Sequence, residues 1–304
     1  MTVAVAVAIL WNRRTRPAAR SYRLELPPTG RAAESDEGSI HFVGTATTLI
    51  RFGGMTILTD PNFLHRGEQV HIGYGLHSTR LTDPSVSFDE LPPVDLVLLS
   101  HLHEDHFDKL VQKRLRRDMP IFTTESAART LGSRGFTRTY PMRTWDSAAI
   151  RKGSASLRIT SLPGTHGPLL ASALLPAVMG SMLEFRNRRD GEEYRVYVSG
   201  DTLVFSDLLE IPKQYPQIDL AVLHLGGTRV MGILVTMDAK QGIQALRIVG
   251  ADLNIPVHYD DYDVFKDPLS NFVREVEAAG LQDRVQYLQR GETYSFAARK
   301  IYHA

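Results

Sequence analysis

The chain has no cysteine among its 304 residues. That excludes disulfides, thiol nucleophiles and cysteine metal ligands. It has no excess of charge either: 35 Lys and Arg face 34 Asp and Glu, for a formal net charge of +1, so neither nucleic acid nor another polyanion is implied as a partner. A bilayer-spanning run is missing. The apolar stretch "TVAVAVAILW" (2–11) has ten residues, about half of the ~20 that cross a membrane. Its basic residues, Arg13, Arg14, Arg16 and Arg20, follow it, whereas a signal peptide carries them in front. The segment reads as a strand or a tail docked on the domain, with a truncated anchor or surface-lying segment as the alternative. Internal repeats, low-complexity segments and a convincing G-x-S-x-G nucleophile motif are also absent. Hydrophobic residues make up 43% and charged residues 23%, the balance of a globular protein, and a cytoplasmic location is expected.

What is present is a dense run of metal-binding side chains. His101, His103, Asp105 and His106 stand together in "SHLHEDHFD". Imidazole and carboxylate are the groups that hold zinc, manganese or iron, and packing four of them this closely serves no core. Val94 to Leu99 ("VDLVLL") reads as a buried strand before the cluster. Phe107, Leu110, Val111 and Leu115 fall at helical spacing after it. The cluster therefore occupies a strand-to-helix turn, where several side chains reach one point.

Three single residues at later strand ends match it. His166 stands in "SLPGTHGP" after the alternating "ASLRITSL", Asp201 in "VYVSGDT" after "YRVYV", and His258 in "NIPVHYDDY". Each alone has an ordinary explanation as a turn or surface residue. Together with the cluster they give five His and two Asp, a set that suits two cations sharing one carboxylate.

The order HxHxDH, then His, Asp and His, resembles the metallo-β-lactamase superfamily. Residues 41–63, "HFVGTATTLIRFGGMTILTDPNF", are similar to the opening hairpin of its lactonase and N-acylphosphatidylethanolamine phospholipase-D-like branch. The likeness runs from about residue 39 to the C-terminus. It implies a four-layer αββα sandwich of the α/β (α+β) class with the metals at one edge between the sheets. It implies His101, His103 and His166 on a first metal, and Asp105, His106 and His258 on a second, with Asp201 bridging. Asp60 in "LTDP" matches the aspartate that steadies a ligand histidine from behind. Two divalent ions are implied, zinc first, with manganese or iron also suited.

The departures narrow the reading. Without cysteine the chain cannot be the β-lactamase type that uses a cysteine ligand. Asp at 201 resembles the branches acting on phosphodiesters, lactones and thioesters. No nuclease-type insertion and no flavodoxin-like extension is seen. The run after His166, "GPLLASALLPAVMG", differs from the phospholipase branch, so phospholipid specificity does not carry over.

Strands are expected at 40–43, 47–52, 55–59, 94–100, 120–124, 155–162, 181–186, 194–199, 218–224 and 253–257, and helices at 106–117, 125–133, 203–210, 238–249 and 268–279. Residues 1–38 are read as the apolar segment with an extended arm (12–38), and 39–304 as the catalytic domain, so a chain starting near Arg31 is expected to fold and load metal. The long connection 61–93, with Phe63, His65, His71, Tyr74 and His77, reads as a wall or lid over the site, or as a plain surface excursion. Residues 168–180 read as a substrate pocket, a membrane-facing lip or core. His224 in "VLHLGG" is expected either to give the substrate a proton or hydrogen bond, or to pack at the sheet edge. Some of Tyr259, Asp260, Asp261 and Tyr262 are expected to support the site.

The resemblance implies hydrolysis by a hydroxide held on the metals, with Asp105 as both ligand and orienting group. The target is an ester-like bond, in a lactone or phosphodiester of a small molecule or lipid. Membrane contact is not favoured, and the sequence is silent on oligomeric state. A non-catalytic metal-binding sensory domain and a di-iron redox protein are the alternatives on the same fold.

Overall fold

Gly53 and Gly54 both take left-handed backbone angles (φ 55° and 77°). That is the two-residue turn whose twist matches antiparallel strands, and it folds "TTLIRFGGMTILTD" back on itself in the register Phe52↔Met55, Ile50↔Ile57 and Thr48↔Thr59. Ile50, Phe52, Met55 and Ile57 all join the core between the sheets. The computed structural model describes residues 18–28, 37–72, 75–168, 175–187 and 193–297.

In chain order the strands are β1 (Ser21–Leu26), β2 (Glu37–Gly44), β3 (Thr47–Phe52), β4 (Met55–Thr59), β5 (Gln69–His71), β6 (His77–Thr79), β7 (Leu96–Leu98), β8 (Ile121–Thr124) and β9 (Thr139–Met142). They continue with β10 (Ser147–Lys152), β11 (Ala155–Leu162), β12 (Gly180–Asn187), β13 (Glu193–Val198), β14 (Leu220–His224), β15 (Arg229–Val230), β16 (Ile233–Leu234), β17 (Leu253–Val257) and β18 (Thr293–Ala297). The helices are α1 (Lys109–Arg114), α2 (Glu125–Ser133), α3 (Glu210–Gln214), α4 (Ala239–Val249) and α5 (Leu269–Ala279).

Two seven-stranded mixed sheets carry the fold, ordered β18-β2-β3-β4-β7-β8-β9 and β1-β10-β11-β12-β13-β14-β17. Apolar side chains from both, such as Ile40, Phe52 and Phe122 against Leu157, Phe185 and Val222, fill the space between them. Phe107, Val111 and Leu131 cover the outer face of the first sheet, where Leu58 and Val97 point. Leu246, Phe272 and Val276 cover the outer face of the second, against Met182 and Leu223. The αββα sandwich expected from the sequence is therefore the observed one, because each sheet has two apolar faces to bury.

The strand directions decide where function sits. β4, β7 and β8 run parallel, as do β13, β14 and β17. β11 is antiparallel to β12, and β12 to β13, so β11 points with β13. All these strands but β12 end at one edge of the sandwich, and every expected site residue lies at or just past such an end.

Several boundaries differ from expectation. α1 is confined to Lys109–Arg114, because Asp108 caps it by accepting from Val111 N–H and Leu115 turns extended. Residues 203–210 form a short 3-10 turn, Ser206–Leu209, before α3. Part of the expected arm is β1, a parallel edge strand on β10 that puts Leu24 and Leu26 into the inter-sheet core. The apolar segment 2–11 lies outside the described residues.

In the connection 61–93, residues 73 and 74, and so Tyr74, lie outside the described residues, and the described part packs around Arg80, a wholly buried guanidinium. Its Nη1 donates to the backbone and side-chain oxygens of Asn62 and its Nε to Thr82 O, and Tyr262 lies beneath it. The β5–β6 hairpin within it reaches the metal-type loop through His71 N–H, which donates to Glu104 Oε2 at 2.7 Å. Of the run 168–180, residues 169–174 lie outside the described residues; Val178 and Met179 are buried, and Met179 N–H donates to Ser100 O. No helix among the described residues is long and apolar enough to cross a membrane.

Candidate metal centre

Six strand ends deliver the site. Asp60 follows β4, the His101–His106 loop follows β7, His166 follows β11, Asp201 follows β13, His224 ends β14 and His258 follows β17. Two of these residues hold left-handed backbone, Asp60 at φ 37° and His258 at φ 63°. Such conformations cost about 1–3 kcal/mol each and cluster at functional sites. His258 is held there by its own N–H donating to Thr45 O at 2.7 Å. Asp201 needs a glycine before it: at Gly200 (φ +61°) an added Cβ would come within 2.8 Å of Met179 O and 2.9 Å of Ser100 Cβ.

The seven expected ligands converge in two groups, one of His101, His103 and His166 and one of Asp105, His106, Asp201 and His258. In the first, His101 Nε2 lies 3.0 Å from His103 Nδ1, and the His166 ring centre is 5.1 Å from each of the other two. In the second, His106 Nε2 lies 3.2 Å from His258 Nε2 and 3.3 Å from Asp201 Oδ1, and His258 Nε2 lies 3.3 Å from Asp105 Oδ2.

The backbone fixes two tautomers. His166 Nδ1 faces Val235 O at 2.8 Å and His258 Nδ1 faces Leu225 O at 3.0 Å. A carbonyl only accepts, so each Nδ1 carries a proton and Nε2 is the nitrogen left to face the centre. Asp105 Oδ1 and Asp201 Oδ1 are buried with no hydrogen-bond partner. Imidazole nitrogens and buried carboxylate oxygens turned to common points are the donors that a divalent cation takes.

The electrostatics agree. Burial holds His101 well below the usual imidazole range and His103 down to about 4, with neighbouring imidazoles adding to the effect; burial also lowers His166. All three are therefore neutral, as ligands must be. Burial opposes ionisation of Asp105 and Asp201, but the surrounding imidazoles outweigh it, bringing Asp105 to about 2 and Asp201 well below the carboxylate range. Burial likewise opposes a charged His106, but Asp201, Asp105 and Asp60 together raise it well above its ordinary value.

Asp60 stands behind His106. Its Oδ1 accepts from Ser100 N–H (2.7 Å) and Ser100 Oγ (3.0 Å), and its Oδ2 is 3.5 Å from His106 Nδ1. His224 belongs to neither of the two ligand groups but lies with Asp60 and His106 in a third cluster of ligand-type side chains. It is fully buried, with Nδ1 3.2 Å from Ser199 Oγ and Nε2 3.4 Å from Asp60 Oδ2. Tyr259, Asp261 and Tyr262 are also buried and act as anchors: Tyr259 Oη donates to Leu288 O, Tyr262 Oη to Asn62 Oδ1, and Asp261 accepts from Thr45 N–H.

Supporting residues that the sequence did not disclose are Ser100, Thr236, whose Oγ1 donates to Asp201 Oδ2 at 3.0 Å, and Asn62, whose Nδ2 donates to Glu104 O at 2.9 Å. Their residue types are common in any loop, and only the fold brings them to the ligands.

A sequence profile for the Beta-lactamase superfamily domain matches residues 56–259. A UPF0173 metal-dependent hydrolase of Archaeoglobus fulgidus is 29% identical over 231 residues, covering 71% of this chain and 91% of its own. Among solved structures, an isothiocyanate hydrolase from Delia radicum gut bacteria aligns with TM-score 0.70 at 20% identity, over 86% of this chain and 100% of its own. A diiron beta-hydroxylase from Streptomyces venezuelae aligns with TM-score 0.60 at 18% identity, over 86% of this chain and 54% of that one. At these identities the two structures share the fold and carry no substrate across.

Proposed function

We propose that this chain, which belongs to the beta-lactamase superfamily and is a metal-dependent hydrolase, holds two divalent cations and opens an ester-like bond, in a lactone or phosphodiester of a small molecule or lipid. The observation that carries the reading is the convergence of seven donors in two adjoining groups. His101, His103 and His166 take one cation. Asp105, His106 and His258 would take the other, with Asp201, grouped with these three, as the carboxylate that the two would share. The donor set has no thiolate, so zinc suits it first and manganese or iron next.

Divalent cations in such a site polarise a carbonyl or phosphoryl oxygen and lower the pKa of water from 15.7 towards about 7. The chain's own residues do the rest. His166 and His258, pinned through Nδ1 to backbone carbonyls, keep their donor nitrogens oriented without reorganisation. Asp105 Oδ2 lies 3.3 Å from His258 Nε2, where both would serve as donors to one cation. Its Oδ1, buried and without a hydrogen-bond partner, would orient the attacking water. Thr236 Oγ1 fixes the carboxylate plane of Asp201.

Elemental analysis of protein purified without chelator tests the reading, beside a panel of lactones and phosphodiesters. Two equivalents of metal with turnover of an ester-like substrate support it. A fully loaded preparation holding one equivalent overturns the dinuclear centre. Inertness across a broad panel favours a sensory domain. Two irons with oxidative and no hydrolytic turnover favour the di-iron reading.

A further inference from the structure

His224 is a buried imidazole outside the two ligand groups, clustered with Asp60 and His106. Its backbone N–H donates to Ser199 Oγ at 2.9 Å, and its Nδ1 lies 3.2 Å from the same oxygen. Ser199 precedes Gly200 and Asp201, so this end of the ring holds the turn that carries the shared carboxylate. The other end reaches across to the opposite sheet, where Nε2 lies 3.4 Å from Asp60 Oδ2. His224 Nε2 is buried with no formed hydrogen bond, and this carboxylate oxygen is the acceptor placed beside it.

Asp60 divides its two oxygens. Oδ1 is occupied by Ser100, through N–H at 2.7 Å and Oγ at 3.0 Å. Oδ2 lies between two imidazoles, His106 at 3.5 Å and His224 at 3.4 Å, whose rings are nearly parallel (14°) with centres 5.9 Å apart. Removing His224 would leave a cavity against Oδ2 and free that oxygen to turn away from His106. The Ser100 contacts, and through Ser100 Oγ the 3.0 Å approach to His101 Nδ1, do not involve His224.

We infer that His224 is a positioning residue that locks Asp60 behind His106 and joins the two sheets' halves of the centre. It thereby governs the cation held by Asp105, His106 and His258 in preference to the one held by His101, His103 and His166. This rests on the two-cation reading above. Residues that orient a ligand in this way typically contribute 10–100-fold in metal affinity.

Cobalt(II) titration of the metal-free protein, followed by visible absorption and by bound equivalents, tests it. The wild type should take two equivalents. In His224→Ala one equivalent should weaken about 10–100-fold while the other titrates unchanged. His224→Gln, which keeps a side-chain N–H at similar reach, should recover most of the loss. The double variant Asp60→Ala/His224→Ala should be no weaker than Asp60→Ala alone. The inference is overturned if His224→Ala titrates like the wild type, or if both equivalents weaken alike and glutamine restores neither. A wild type that takes one equivalent overturns the two-cation reading instead. The role of His224 is then decided by whether the Asp60 and His224 losses on that one equivalent are non-additive.

Discussion

His106 Nε2 lies 3.3 Å from Asp201 Oδ1, and the two residues come from opposite sheets, one after β7 and the other after β13. The centre is thus closed only when the sandwich is closed. Asp201→Ala should take metal content from two equivalents to below one. Hydrolysis should fall by roughly 1000-fold or more, about 4 kcal/mol in the barrier. Elemental analysis and initial rates check this. A variant that keeps two equivalents would show that the carboxylate is not shared.

Gly200→Ala tests the turn in front of Asp201 without touching a donor atom. The added methyl would meet Met179 O at 2.8 Å and Ser100 Cβ at 2.9 Å, on a backbone at φ +61°. A loss of about 1–3 kcal/mol in stability is expected, with weakened metal binding. Denaturant unfolding of the metal-free variant beside the wild type measures it, and equal stabilities would contradict the crowding.

The metal-free protein should be most stable near pH 6.5. His103 lies at about 4 in the fold against 6.5 unfolded, and His101 and His166 shift the same way. Below pH 6.5 the unfolded chain binds more protons at these groups, so stability drains as pH falls towards 4, by roughly 3 kcal/mol from His103 alone. His106 and His258 are raised. Their contribution is full below 6.5 and is lost as pH climbs through their folded values. Asp105, at about 2, adds stability that persists above 3.8 and disappears only below that. Urea unfolding of chelated protein from pH 4 to 9 should give a maximum, and a steady rise across the range would refute it.

Deleting residues 1–30 should destabilise the protein, contrary to the expectation from sequence that a chain starting near Arg31 folds unimpaired. The deletion removes β1, uncovers the β10 edge and takes Leu24 and Leu26 out of the core. Burial of two leucines is worth about 3–6 kcal/mol in total, and an open edge invites association. Deleting residues 1–17 alone leaves β1 in place, so thermal melting and light scattering of the two deletions side by side isolate what β1 contributes, and equal behaviour of the two would contradict this.

Much of the centre was legible in the sequence because its donors are rare residue types at fixed offsets from strong periodic patterns. "SHLHEDHFD" between an apolar run and a helical one, and single His or Asp residues after alternating stretches, mark seven candidate donors, which the fold gathers into two groups. The same local signals set β3, β4, β11, β17 and α2 at their observed bounds. Hydrophobic period and turn glycines act over a few residues, and a linear sequence contains them in full.

What the sequence did not hold are the relations across the fold. β1 pairs with β10 and β18 with β2, strands whose partners lie far off in the chain and whose patterns are weak because they sit at or near sheet edges. Arg80 is buried because the fold brings Asn62 and Tyr262 around it. His224 reads from its strand end either as a donor to substrate or as a residue packed at the sheet edge, and only the facing sheet discloses that Asp60 lies 3.4 Å from it. A side chain's type and its strand are sequence properties. The partner it meets is decided by the packing of one sheet on the other.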